Sequence, residues 1–330
     1  MINLEAKLNQ KLFDKDVEQK PTRDGYGEGL VAAGEKDNNV VVLCADLTES
    51  TRSEGFAKKF PERFFEVGVA EQNLATIAAG LGVNNKIPFI SSYAIFSPGR
   101  NLEQIRTTIA YNDSNVKIAG AHTGISVGPD GATHQATEDI AIMRAMPNMK
   151  VFVPCDAIEA KKATMAAAKI WGPIYLRFAR EKSPVLTTEE TPFIPGKAEI
   201  FYSGKKPQVL IIGCGPLIYN ALLAAKDLEE EGVGTIVLNC HTIKPLDDKK
   251  IIELVKKCGA VVTVEEHQVA GGLGGAIAET LAKNYPAPIE FIGMQDVFGE
   301  SGAPKELIEK YGMDVVAIKD AVKRVIKRKR

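Results

Sequence analysis

Apolar and polar positions follow two alternating patterns along the chain. The continuous apolar run at residues 40–45 and the short, mainly apolar segments at 64–69, 87–92, 116–121, from Val151 and at 174–177 read as strands of a sheet covered on both faces. Between them apolar residues return at helical spacing. One helix opens at Pro21-Thr22-Arg23-Asp24 and runs to about Lys36. Another starts near Ala70-Glu71-Gln72-Asn73 and continues through Leu74, Ile77, Ala78 and Leu81. Residues 100–111, the segment from Glu138 and the alanine-rich segment from Ala157 complete the set, and residues 1–20 read as a peripheral polar helix. Strands alternating with helices predict parallel βαβ units.

Residues 187–195 are polar, proline-bounded and without periodicity, which marks a linker. A second alternation follows. Strands are expected at residues 209–213, 235–239, 260–264 and 289–292; helices at 217–231 and 247–257, around Gly275, and in the basic C-terminal segment that includes Lys323 and Arg324. The expected organisation is two α/β domains, 1–190 with its N-terminal helix and a smaller 196–330.

With 330 residues, 45% hydrophobic and 25% charged, and a formal net charge of -1, the chain gives no argument for nucleic acid or a membrane surface as partner. Cys44, Cys155, Cys214, Cys240 and Cys258 are scattered, mostly inside apolar runs and never spaced C-x-x-C, which fits buried thiols in a reducing compartment. The charged first residues carry no signal-peptide pattern and no apolar run could span a bilayer, so a cytoplasmic location is expected.

The chemistry concentrates in residues 122–135, which hold two of the four histidines, His122 and His134, with Asp130, among glycines and hydroxyls. A polar loop at the carboxyl end of a buried strand is where open α/β sheets place ligands. Gly124-Ile125-Ser126-Val127-Gly128 matches G-x-S-x-G, but that motif needs a strand-to-helix elbow. Here Pro129-Asp130-Gly131 follows, and Asp130 and His134 lie too close in sequence for a triad. The histidines also lack metal-ligand spacing and a nearby cysteine. Two histidines and an aspartate in one glycine-rich loop point to a polyhydroxylated or anionic ligand. Glu71, in Gly68-Val69-Ala70-Glu71-Gln72-Asn73, reads either as a first-turn glutamate favoured by the helix dipole or as a carboxylate among apolar neighbours that shares a proton with a ligand nitrogen.

Together these motifs resemble one family, transketolase, in its C-terminal half. The resemblance runs from about Arg23 to the chain's end. It is carried by Val67-Gly68-Val69-Ala70-Glu71-Gln72, Tyr93-Ala94-Ile95-Phe96, Gly128-Pro129-Asp130-Gly131-Ala132-Thr133-His134-Gln135, and Val264-Glu265-Glu266-His267 with Gly271-Gly272-Leu273-Gly274-Gly275. It implies a thiamine diphosphate pyrimidine-binding domain followed by a transketolase C-terminal-like domain. Glu71 would hydrogen-bond the aminopyrimidine and favour its imino form, with Tyr93 and Phe96 stacked on the ring. His122 and His134 would donate to substrate oxygens and assist proton transfer, Asp130 would read a hydroxyl, and Arg23, Ser50 and Arg180 would hold a sugar phosphate. Arginine suits that task because its fork meets phosphate oxygens in two bonds. Arg100 stays ambiguous. The implied reaction passes a two-carbon ketol unit from a ketose phosphate to an aldose phosphate in the pentose phosphate pathway.

The family's diphosphate-and-magnesium motif, Gly-Asp-Gly with a later asparagine, is missing: Arg23-Asp24-Gly25 and Pro129-Asp130-Gly131 are not it. The resemblance therefore implies an N-terminal partner subunit that carries Mg²⁺, in a dimer of heterodimers. Histidine before Thr123 favours transketolase over deoxyxylulose phosphate synthases, which carry arginine there. The loop speaks against a 2-oxo acid dehydrogenase beta subunit, and the intact Glu71, His122, Asp130 and His134 against a non-catalytic assembly subunit. In the second half, Gly213-Cys214-Gly215 lacks the third glycine of a dinucleotide fingerprint. Gly271 to Gly275 could open a helix onto an anion or make a tight connection. Glu265, Glu266 and His267 read as structural or interfacial.

Overall fold

The computed structural model describes residues 1–329. Among them, seven strands form the first sheet, in the order Thr242–Lys244, Lys150–Phe152, Ile174–Arg177, Lys117–Ala121, Ile87–Tyr93, Val40–Cys44, Phe64–Glu66. All neighbours are parallel except Thr242–Lys244, which lies antiparallel to Lys150–Phe152. Val40–Cys44 and Lys117–Ala121 are buried throughout between two helical layers; the buried Lys117 is accommodated because its Nζ donates to Asn115 Oδ1, Ile170 O and Gly172 O, each at 2.7 Å. On one face the helices Thr22–Lys36 and Ala157–Lys169 press together. A Cβ at Gly25 would run into the Ala157 carbonyl, so glycine permits this approach and thereby sets where Arg23 stands.

The second sheet runs Ile289–Met294, Val261–Gln268, Val209–Gly213, Thr235–Asn239, Glu199–Ser203, with only the last strand antiparallel. One apolar cluster spans both sheets, joining Leu74, Ile118, Met143 and Tyr175 to Leu210, Ile212, Leu238 and Ile277. A large apolar contact of this kind holds two domains in one orientation. Thr242–Lys244 extends the junction by adding a strand from the second half to the first sheet.

The N-terminal segment departs from the helix expected over residues 1–20. Its helical content is the single turn Leu4–Ala6. The rest is a strap: Asn3 N donates to Phe201 O at 2.9 Å and Asn9 N to Leu186 O at 2.8 Å, while Ala6, Leu8 and Leu12 bury beside Phe201 and Tyr202. Tertiary partners override a weak local helix preference. Gln19–Pro21 then pairs antiparallel with Lys182–Pro184. Residues 100–111 do coil, as one helical turn, Leu102–Gln104, widening into the π-helical Ile105–Ala110. Glu54–Lys59, Glu199–Ser203 and Pro304–Lys310 are elements the pattern did not reveal, being short or only half apolar. All five cysteines are free and buried. No helix among the described residues is long and apolar enough to cross a membrane.

Candidate active site

Five parallel strands deliver the site from their carboxyl ends. Ser50 follows Val40–Cys44, Glu71 follows Phe64–Glu66, and Tyr93 and Phe96 lie at and beyond the end of Ile87–Tyr93. His122 follows Lys117–Ala121, and Arg180 follows Ile174–Arg177. This is the edge at which open α/β sheets leave room for ligands.

Glu71 opens the helix Glu71–Val83 and is 1% exposed. Its Oε2 accepts from Arg100 Nη1 at 2.7 Å and its Oε1 from Ser92 Oγ at 3.3 Å, while Asn101 Nδ2 holds its carbonyl at 2.9 Å. The carboxylate therefore faces a guanidinium, not the apolar wall expected for it. Arg100 in turn lies over the Phe96 ring, 4.4 Å from its centroid. Spacing alone gave a hint here, since Phe96 and Arg100 stand four residues apart.

His122 is 1% exposed and sits in the left-handed region, φ 55°, so the chain leaves its strand in a sharp turn. Its ring stacks on Tyr93 with centroids 3.8 Å apart. Its Nε2 lies 3.3 Å from Arg23 Nη1. Arginine can only donate, so Nε2 accepts and the proton sits on Nδ1. Among the described residues that buried Nδ1 has no partner, and neither has Arg23 Nε. Burial first, then the nearby guanidinium of Arg23, drives the imidazole's pKa down to about 3, so it is neutral at physiological pH. Burial and the charge of Arg52 likewise lower the pKa of Arg23, whose Nη1 also donates to Ser50 O at 2.9 Å. Ser50 thus meets Arg23 through its backbone.

Arg180 donates from Nη1 to Val127 O at 2.7 Å and to Asp130 Oδ1 at 3.2 Å. His134 packs edge-on to Phe96, centroids 5.5 Å apart, and its Nδ1 meets Thr133 Oγ1 at 3.0 Å. Most residues singled out from the sequence form a contiguous set: Glu71 to Arg100 to Phe96, Phe96 to His134 and Tyr93, Tyr93 to His122, His122 to Arg23, and Arg23 to Ser50. Arg180 with Asp130 is close enough for its charge to act on His122 and Arg23. Ser92, Arg52 and Asp24, which pairs with Arg52 at 2.6 Å, escaped sequence reasoning because each looks like an ordinary polar residue in its own context.

The remaining motifs resolve structurally. Ser126 lies within the helical turns of Ile125–Asp130, not at a strand-to-helix elbow, and its backbone N donates to Glu266. Glu265 occupies the start of helix Leu273–Asn284, accepting from Leu273 N and Gly274 N at 2.7 Å each, so that helix end offers no open anion site. Among the described residues no group of three or more His, Cys, Asp or Glu gathers in a way that could hold a metal ion.

Two fused α/β domains in this order are those of a known family. The model of the transketolase pyrimidine binding domain fits residues 18–185 and that of the transketolase C-terminal domain residues 196–318. The chain belongs to the transketolase family. It is 46% identical to a Methanocaldococcus jannaschii protein named "Putative transketolase C-terminal section", over 89% of this chain and 93% of that one. It is 38% identical to a 6-deoxy-6-sulfo-D-fructose transketolase subunit of Clostridium sp. (strain MSTE9), over 98% and 99%. A solved structure described as a split gene transketolase, inactive beta4 tetramer, superposes with a TM-score of 0.88 at 45% identity, covering 94% of this chain and 99% of that one. Against transketolase of Homo sapiens, 36% identical, the chain spans only 49% of the relative's length.

Proposed function

We propose that this chain is the C-terminal subunit of a two-chain, thiamine diphosphate-dependent transketolase, transferring a ketol unit from a ketose phosphate to an aldose phosphate of the pentose phosphate pathway. The observation that carries the reading is the buried Glu71 carboxylate, joined through Arg100 and the Phe96 ring to His134 and through Tyr93 to His122 and Arg23. Its Oε1 is held only by the long Ser92 bond, which leaves a buried acceptor for a ring N–H. Phe96 and Tyr93 offer aromatic surface beside it. When bound, thiamine diphosphate supplies the electron sink for breaking a carbon–carbon bond.

This chain's residues do the rest. Glu71 holds the aminopyrimidine end. The unpartnered Nδ1–H of His122 donates to a substrate oxygen, and His134 exchanges protons from the loop's far end. Arg23 and Arg180 receive the sugar's anionic end, which relieves the crowding of positive charge around Arg23. Asp130 reads a hydroxyl. The diphosphate and Mg²⁺ fall to a partner subunit, in a dimer of heterodimers in the cytoplasm. The relative described as an inactive beta4 tetramer supports the need for a second kind of chain. Names of relatives that mention a sulfo-fructose and apulose 4-phosphate show that the family reaches other sugars, so the sugar pair is part of the test. The purified chain, mixed with a partner carrying the N-terminal half, thiamine diphosphate and Mg²⁺, is expected to form sedoheptulose 7-phosphate from xylulose 5-phosphate and ribose 5-phosphate. Absence of product from that mixture, or full activity of Glu71→Gln, overturns the reading.

A further inference from the structure

The second domain reaches the substrate loop in two places: through Glu266, and through the segment before helix Pro304–Lys310, where Glu300 O accepts from Gln135 Nε2 at 3.0 Å. Glu266, 5% exposed, extends from strand Val261–Gln268, and its Oε1 accepts from Ser126 N at 2.6 Å. Ser126 stands in the middle of the loop, with His122 before it and Asp130 and His134 after it. That stretch belongs to no sheet; its other ties include the isolated bridge between Thr123 and Ala136, Gln135 Nε2 on Ile125 O and Arg180 Nη1 on Val127 O. Its two helical turns break at Gly128, φ 80°, ψ -114°. At Gly124, φ 75°, a Cβ would collide with the Glu266 carboxylate, so both the backbone conformation and the reach of Glu266 require glycine there.

Glu266 is itself held rigidly. Its carbonyl accepts from Arg177 Nη2 at 2.9 Å, and Arg177 makes two bonds to Asp139, at 2.8 and 3.1 Å, with Tyr175 OH donating to the same carboxylate at 2.6 Å. The flanking residues anchor the strand on its other face: Glu265 caps its own domain's helix, and His267 Nε2 accepts from Ala141 N at 3.3 Å in the first domain. Burial raises the pKa of Glu266. A neutral acceptor would have satisfied the Ser126 N–H at lower desolvation cost, whereas a carboxylate makes a shorter, stronger bond and fixes the donor more tightly.

The geometry points to Glu266 as a positioning residue of the reaction: it touches no substrate, and it sets substrate affinity by holding Ser126 and so the spacing of His122 from Asp130 and His134. This rests on the function proposed above. It gives the second domain a direct part in recognition, with a charge-assisted hydrogen bond at the loop's centre.

The test uses the reconstituted two-chain complex with Glu266→Leu and Glu266→Gln. In Glu266→Leu the KM for the ketose phosphate donor is expected to rise about tenfold, the size of one lost charge-assisted bond, with kcat and thiamine diphosphate affinity little changed. Hydrogen exchange in residues 122–135 should quicken by a similar factor while helix Leu273–Asn284 keeps its protection. Glu266→Gln, which retains an acceptor, should fall between wild type and Glu266→Leu on both measures. Exchange and KM both within about twofold of wild type in Glu266→Leu overturn the inference; twofold is below the loss expected for any buried unpaired amide. If the leucine variant does not fold, the same comparison made with Glu266→Gln decides. A wild-type complex without ketol transfer would sink the proposed function instead, and the exchange of residues 122–135 would still report on the Glu266 anchor.

Discussion

Arg100 donates from Nη1 to Glu71 Oε2 at 2.7 Å, and the same guanidinium lies 4.4 Å from the centroid of the Phe96 ring. One side chain thus touches two of the three residues expected at the pyrimidine end of the coenzyme. The pair joins a nearly inaccessible carboxylate to an arginine whose side chain is 47% exposed, so solvent screens part of its strength. Arg100→Met is expected to weaken thiamine diphosphate binding by the reconstituted complex about fivefold to tenfold, at the low end for a charged hydrogen bond. Calorimetric titration measures it directly. In a double-mutant cycle with Glu71→Gln the two losses should not add, because each variant removes the same contact. Additive losses would separate Arg100 from Glu71.

The anion end makes a separate prediction. Arg180 bridges Val127 O and Asp130 with Nη1, and its Nε lies 3.8 Å from Glu181 Oε1, which leaves Nη2 for a ligand. Arg180→Lys keeps the charge and loses the fork. The donor KM should rise about tenfold, and that rise should largely vanish when the donor lacks its phosphate. A rise of equal size with both sugars would place Arg180 in loop support alone.

His122 makes stability depend on pH. Its pKa is about 3 in the folded chain, against an ordinary value of 6.5. Between those values the unfolded chain binds the extra proton and the folded chain does not. Its contribution is therefore complete above pH 6.5 and is lost as pH falls toward 3, at a slope of at most ~1.4 kcal/mol per pH unit. Urea midpoints at pH 7 and pH 5 should fall further apart in wild type than in His122→Asn. Equal differences would mean that the imidazole is protonated in the native chain.

Glu159 has the opposite sign. Burial first, then the charge of Asp156, raises its pKa to about 7, and its carboxylate accepts from Cys155 N at 2.6 Å and from Asn239 Nδ2 of the second domain at 2.8 Å. Between about 4.5 and 7 the folded chain holds the proton that the unfolded chain has released. Stability from this group therefore declines as pH rises through that window. Glu159→Gln should raise the urea midpoint at pH 8 and leave it nearly unchanged at pH 4.5. Asn239 Oδ1 has no partner, so a flip of that amide can receive the new Nε2–H. A midpoint that falls at pH 8 would show that the charged form is the favoured one.

The sequence by itself determined the alternation of strands and helices, the two-domain division of labour along the chain, and nearly every side chain now found along the carboxyl edge of the first sheet. Period and apolar run length are local properties, and a parallel sheet obliges each strand to hand its next residues to the same edge. The 122–135 loop and Glu71 could therefore be read without coordinates, while Ser50, Tyr93 and Arg180 came from the resemblance to transketolase. Only the tertiary structure decided the rest. The N-terminal strap, the strand Thr242–Lys244 in the other domain's sheet, the Arg100–Glu71 pair and the Glu266–Ser126 bond all join segments whose own patterns are mute about each other. A hydrogen-bond donor reveals nothing in sequence about which acceptor, 29 or 140 residues away, it will meet. That choice is made when burial strips water from both and leaves each only the other.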